Sequence, residues 1–252
     1  MNSERILGIS FFNGTPAEAV DYFLDAGGLL VTPPSPALAN LKYDVDYRRA
    51  MQSATIALPD SELLTKVWKS ATGRSLKKIS GTDYLKALLG NTRFRNAADT
   101  FWIVGSDSAK QRTLDLLGKA GLSIDLSNIY TVPDPILEND RYQLLNQIEQ
   151  LRPANIVIAI PGGPQVKLGS YLQEYAMHRP NVHCIGAALD FLTGEQNPIP
   201  NWAEHFGVAW LVRLSSQPRM ILPRLGIAAA VAAMVMRYKS EMPPLQKRWA
   251  DI

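Results

Sequence analysis

Short apolar runs that alternate with stretches of helical periodicity constrain this chain more than any other feature. The runs are Leu29–Thr32, Thr55–Leu58, Thr100–Val104, Asn128–Val132, Ile156–Ile160 and Val182–Ile185. They are apolar on both faces, as strands covered on both sides are. Between them lie Pro16–Ala26, Tyr47–Ser53, Glu62–Ser70, Tyr84–Leu89, Ser108–Ala120, Arg141–Leu151 and Lys167–His178, which read as helices. In Ser108–Ala120 the apolar positions Leu114, Leu117 and Ala120 give the period plainly. Thr15-Pro16 and Ser108 are start signals, and Gly121 is a stop. The alternation predicts a doubly wound α/β architecture with a mostly parallel sheet. At 252 residues the chain is long enough to build it as one unit with a large core.

Composition narrows the function classes. Cys184 is the only cysteine, which excludes an internal disulfide and any zinc site built on several cysteines. A reducing cytosol is the natural compartment. His178, His183 and His205 have no metal-ligand spacing and read as surface or satisfied core residues, so no metal is expected. Met1–Ser10 carries one arginine and no long apolar run, unlike a signal peptide. The longest uncharged candidate, Gly226–Met236, has 11 residues, against the roughly 18 that a spanning helix needs. Residues 219–252 hold six basic and two acidic side chains, a net +4, which leaves about −1 for residues 1–218 of the chain's +3. The basic balance therefore belongs to the tail, and no nucleic-acid footprint runs across the body. The chain divides on this reading into an α/β domain, 1–218, and a basic, apolar segment, 219–252. Leu222, Ile227, Val231, Met234 and Val235 fall roughly on one helical face there. Flanked by arginines, they fit an interfacial helix on an anionic membrane, and equally an ordinary core helix.

In doubly wound folds ligands bind beyond the carboxyl ends of the strands, so the loops there matter most. Pro33-Pro34-Ser35-Pro36 is stiff and poor in donors. Gly105-Ser106-Asp107-Ser108 and Gly162-Gly163-Pro164-Gln165 are glycine turns that feed helices. Glycine lets backbone N–H groups approach a phosphate, and a helix N-terminus favours negative charge. Both are candidates for diphosphate contact, and both are equally plain strand-to-helix turns. Asp60 and Asp190 are the carboxylates best placed to accept a proton or hold a hydroxyl. Asp60 could instead cap the helix that follows it, and Asp190 could be a buried structural residue.

Taken in order, these segments carry a more specific pattern. Thr32-Pro33-Pro34, Leu58-Pro59-Asp60, Ile79-Ser80-Gly81-Thr82-Asp83, Gly162-Gly163-Pro164 and Gly186 to Gly194 are followed by Pro200-Asn201-Trp202, Gly207 to Leu214 and Pro218-Arg219. From about residue 29 to 225 the chain resembles the WecG/TagA/CpsF glycosyltransferases. The resemblance implies a Rossmann-like fold of the GT-E type with a helical basic C-terminal segment. It implies an inverting, metal-independent hexosyltransferase that uses no cofactor. The donor would be a UDP-sugar and the acceptor a lipid-diphosphate-linked sugar of cell-surface polysaccharide synthesis. The work would be done at the cytoplasmic face of the membrane, with self-association left open. Asp60 would be the general base. Thr32, the loop of Gly162, Gly163, Pro164 and Gln165, and Asp190 would hold the uridine diphosphate, with Gly105 and Ser106 as a further diphosphate turn. Lys78, Arg213 and Arg219 would serve the acceptor and the leaving diphosphate.

The chain also departs from the family pattern. Pro34 stands for an asparagine, Ser61 for a glycine, Lys78 for an arginine, and Val166-Lys167 for Gln-Glu. Pro198-Ile199-Pro200 replaces Arg-Ala-Pro, and Ala209 replaces a glutamate. Lys167 reverses a charge expected in the cleft. These replacements motivate an alternative, a non-catalytic relative that binds a nucleotide sugar and supports a partner enzyme. A third reading is an unrelated nucleotide-binding α/β enzyme.

Overall fold

A computed structural model describes residues 2–94, 96, 99–193 and 218–246, with the backbone alone for 218–225. A hairpin, β1 (Ser3–Ile6) and β2 (Ile9–Phe12), opens the chain. Then follow α1 (Pro16–Ala26), β3 (Leu29–Val31), a 3-10 segment (Ser35–Lys42), α2 (Val45–Ser53), β4 (Ile56–Ala57), α3 (Glu62–Thr72) and α4 (Gly81–Gly90). The second half brings β5 (Thr100–Val104), α5 (Asp107–Lys119), β6 (Ile129–Thr131), α6 (Glu138–Leu151), β7 (Asn155–Ala159) and α7 (Gly163–Tyr175). It ends with β8 (Asn181–Cys184), α8 (Ala188–Leu192) and α9 (Pro218–Tyr238).

Among the described residues the strands form an eight-stranded sheet in the order β1-β2-β4-β3-β8-β7-β5-β6. Only the β1–β2 pair is antiparallel. The expected mixed α/β, mostly parallel architecture is thus the observed one. All six expected strands are present, and the hairpin adds two. Its turn places Leu7 and Gly8 at φ 51° and 79°. Two positive φ values suit the right-handed strand twist, but a Leu-Gly pair lacks the Asn or Asp that marks such a turn in a sequence.

Apolar residues on both faces of each strand feed two separate cores. Leu29, Val31, Phe101, Ile103, Ile156 and Ile158 point to one, Leu30, Trp102, Val104, Val157 and Ala159 to the other. The first core is covered by residues of α2, α3, α6, α7 and α9, the second by α1, α4 and α5. Helix starts follow the chemistry of their caps. At α1, Thr15 Oγ1 accepts the Glu18 N–H while the Glu18 carboxylate accepts the Thr15 N–H, ahead of Pro16 in the first turn. At α5 the cap is Ser106 rather than the expected Ser108, because the Ser106 side chain accepts the Ala109 N–H.

Helix α9 packs on α3 and on the 3-10 segment. Val231, Met234 and Val235 are buried in the first core, while Ile227, Met236 and Arg237 are turned outward. The side chains of Leu222 and Arg219 lie outside the described residues. No described helix is long and apolar enough to cross a membrane. Beyond α9 the chain returns to the hairpin. The Leu7 and Gly8 N–H groups donate to the Lys239 and Ser240 carbonyls at 2.7 and 3.0 Å, and Met242 covers Gly8.

Candidate active site

Strands β4, β3, β8 and β7 are adjacent, and Val31 is in register with Ala57 on one side and Cys184 on the other, while Cys184 faces Ile158. The residues that follow these four strands therefore emerge level with one another. They line a cleft of about 640 Å³ together with the start of α4. The chain runs from β3 to β4 in one direction, whereas β5 and β6 lie on the far side of β7. Such a reversal opens a crevice for a ligand.

On one wall stands Asp60. It does not cap the helix after it, because Ser61 does: the Ser61 hydroxyl accepts the Leu64 N–H at 3.3 Å. The Asp60 carboxylate instead receives the N–H of Gly81, the first residue of α4. Burial pushes its carboxyl above the usual aspartate range, against the pull of Lys78 and the Gly81 N–H, and Asp83 adds to the rise. A carboxylate held less acidic than normal is the better proton acceptor. Gly81 is required there: a Cβ would lie 2.6 Å from the Ile185 carbonyl, so only glycine lets α4 begin against the end of β8. Ser80 caps α4 and is bound in turn by Asp83, its hydroxyl donating to the carboxylate at 2.6 Å. Lys78 and Lys86 line the cleft on the same wall.

On the other wall α7 begins. Gly162, at φ 83°, makes a turn that side chains rarely allow, and no side chain caps the helix. Among the described residues no side chain accepts from the cap of α7, and a helix start of this kind suits an anion. Gln165 is fully buried in the cleft floor. Its Oε1 accepts the Gly186 N–H at 2.7 Å, but its Nε2 has no partner among the described residues. That nitrogen lies 3.3 Å from where a Cβ on Gly186 would stand, and Thr32 Oγ1 lies 3.7 Å from the same point. Thr32 donates its own hydroxyl proton to the Cys184 carbonyl at 2.9 Å, which leaves its oxygen able to accept. A buried donor without a partner costs stability, and at a cleft floor it marks a place for an acceptor atom.

Thr32, Asp60, Lys78, Gly162 and Gln165 are therefore brought together. Gly163 and Pro164 start α7 outside the cleft lining, Gly163 facing the Tyr47 ring. Gly105 and Ser106 are not in the cleft. Strand β5 lies outboard of β7, about 10 Å from β8 and about 14 Å from β3 at the usual strand spacing, and Ser106 is spent on capping α5. Asp190 is not among the lining residues and lies 3.6 Å from Arg112 of α5. Arg213 and the Arg219 side chain lie outside the described residues, as do Pro198, Ala209 and His205.

Of the departures from the family pattern, Pro34 lines the cleft, whereas Val166 is buried in the first core. Lys167 is not a cleft residue either: it pairs with Asp44, the cap of α2, at 2.6 Å. The charge reversal expected inside the cleft is thus a bridge between two helices. His183 is a satisfied core residue as expected, taking the Tyr84 hydroxyl at Nδ1 (2.8 Å) and meeting the Asn155 side-chain oxygen at Nε2 (3.2 Å). Burial pushes its pKa down to about 3.

Ser80, Thr82, Asp83, Lys86 and Phe191 line the cleft without having been assigned a role from the sequence. Most sit in motifs that mark the family, which was the available signal. Lys86 had none except its spacing, four residues after Thr82 on the same helix face.

The profile of the Glycosyl transferase WecG/TagA/CpsF family matches residues 4–243 of the chain. A comparison with curated proteins finds no match.

Proposed function

The chain belongs to the WecG/TagA/CpsF family of glycosyl transferases, and from that premise we propose that it moves a hexosyl unit from a UDP-sugar to a lipid-diphosphate-linked sugar in cell-surface polysaccharide synthesis. The observation that carries this reading is a non-capping carboxylate, Asp60, across one cleft from an uncapped helix start and the unpaired amide nitrogen of Gln165. The first can take a proton while the second and third hold a diphosphate.

The step is a single displacement. An acceptor hydroxyl gives its proton to Asp60 as its oxygen forms a bond to the anomeric carbon. The bond from that carbon to the diphosphate oxygen breaks, its electron pair leaves with UDP, and the anomeric configuration inverts. First-turn N–H groups of α7 and the Gln165 Nε2 take up the charge that develops on the leaving diphosphate. Thr32 positions the donor from the floor. No step in this scheme calls on a cofactor or a metal.

The same reading has the enzyme at the inner face of the cell membrane. The basic balance of residues 219–252 supports it, since each Lys or Arg near an anionic surface contributes about 1 kcal/mol. So do Ile227, Met236 and Arg237 on the outward side of α9.

Calorimetry with UDP, followed by a screen of UDP-sugars against a short-chain lipid-diphosphate sugar, tests the proposal. The expected result is UDP binding and UDP release that depends on the acceptor. Binding without turnover of any pair would favour the non-catalytic relative, and absence of UDP binding would sink both readings.

A further inference from the structure

Two lysines stand on the Asp60 wall of the cleft, Lys78 and Lys86, and neither has a part in the scheme above. Neither Lys78 nor Lys86 forms a salt bridge among the described residues. Both are exposed at the cleft surface. The nearest carboxylate on the same helix, Asp83, accepts the Ser80 hydroxyl, whose oxygen in turn accepts the Asp83 N–H. Lys86 follows Thr82 by one helical turn, so the two share a face of α4 that opens on the cleft.

The distances give this lysine a task. Gly81, whose N–H holds Asp60, and Lys86 are five residues apart, about 7.5 Å along the helix axis. That is about the width of one pyranose ring with its exocyclic oxygens. An acceptor sugar that lies along α4 with its hydroxyl at Asp60 would carry the group on its own anomeric carbon toward Lys86. Charge gives a second reason. The donor's diphosphate and the acceptor's diphosphate must occupy one cleft and repel each other. The described ionisable side chains of the lining are Asp60, Asp83, Lys78 and Lys86, which sum to zero when all are charged. Removing one lysine leaves a net negative wall facing the second anion.

We propose that Lys86, with Lys78, forms a second anion subsite that holds the diphosphate of the acceptor, separate from the donor site at the start of α7. Lys86 is then a positioning and specificity residue: it selects acceptors whose reacting sugar bears an anionic group at the far side of the ring. This inference rests on the sugar-transfer reading, and its test separates the two.

The test is calorimetry of the full chain with two probes, UDP and a farnesyl-diphosphate-linked N-acetylglucosamine, the second titrated into protein saturated with UDP. Lys86→Ala is expected to weaken the lipid-linked probe about tenfold, leave UDP affinity within about twofold, and reduce the salt dependence of probe binding. Lys86→Arg is expected to restore most of the loss. In turnover assays the alanine variant raises the KM for the acceptor with little change in kcat. Equal probe affinity in Lys86→Ala and the wild type overturns the inference. So does a matching loss for UDP, which would assign Lys86 to the donor. Wild-type protein that binds UDP but not the probe overturns it as well and leaves UDP recognition standing, whereas failure to bind either probe brings down the sugar-transfer reading itself.

Discussion

Replacing Asp60 by asparagine isolates the proton-accepting role with little else disturbed. The side chains match in shape, and Asn Oδ1 can still accept the Gly81 N–H that orients the carboxylate. Ser61 remains the cap of α3, so the helix that follows keeps its start. What disappears is the ability to take a proton from the attacking hydroxyl. Losing a general base typically slows a reaction by about 10²–10⁴, or about 3–5 kcal/mol of barrier. The donor diphosphate is assigned to the opposite wall, so UDP affinity measured by calorimetry stays within about twofold of wild type. Stability moves the other way. Because the folded pKa is raised above its ordinary value, ionising Asp60 costs the folded chain more than the unfolded one. Stability from this group therefore falls as pH rises from the ordinary aspartate value through the raised one. Asp60→Asn removes that cost, and its Tm at neutral pH is expected to exceed the wild-type value. The wild-type rate rises with pH through the same raised value, and the variant loses that limb. Turnover reduced less than tenfold, or UDP affinity lost in parallel with rate, would refute the assignment of Asp60 as base.

Tyr84→Phe leaves the buried Nδ1 of His183 without its donor at 2.8 Å, and the expected cost of about 2 kcal/mol lowers Tm by roughly 4–8 °C. The tautomer cannot flip to compensate, because Nε2 must keep its proton for Asn155 Oδ1; a Tm within one degree of wild type would contradict this network. Lys167→Ala is expected to cost about 1 kcal/mol in a urea titration, since it breaks the 2.6 Å pair with Asp44 between α7 and α2, and to leave UDP affinity unchanged. A large loss of UDP affinity would return Lys167 to the cleft.

The sheet was legible because its strands are apolar on both faces, a pattern that helices flanking a parallel sheet impose. Thr100–Val104 is observed over the range expected from it. The hairpin escaped because the Leu7-Gly8 turn relies on positive φ at a leucine, which composition does not announce. Residues directly after the central strands, Thr32, Asp60 and Gly162, share one cleft, as the strand-end rule leads one to expect. The turn at Gly105, like the turn at Gly162, is a glycine turn that follows a strand and opens a helix. What separates them is strand order, and no local pattern contains it. Lys167 and Asp190 find their partners on other helices for a related reason. A charged side chain near a motif can face the ligand or a neighbouring helix, and the choice depends on partners distant in the chain, Asp44 for one and Arg112 for the other.

The clasp between residues 7–8 and 239–240 turns the fold into a closed circuit. The first hairpin cannot peel from the sheet edge without the stretch after α9 letting go, and that stretch cannot fray without baring the hairpin's turn. A pull on the stretch after α9 is consequently delivered to β1 and β2 at the outermost edge, and through β2 to its neighbour β4, the strand that leads to Asp60.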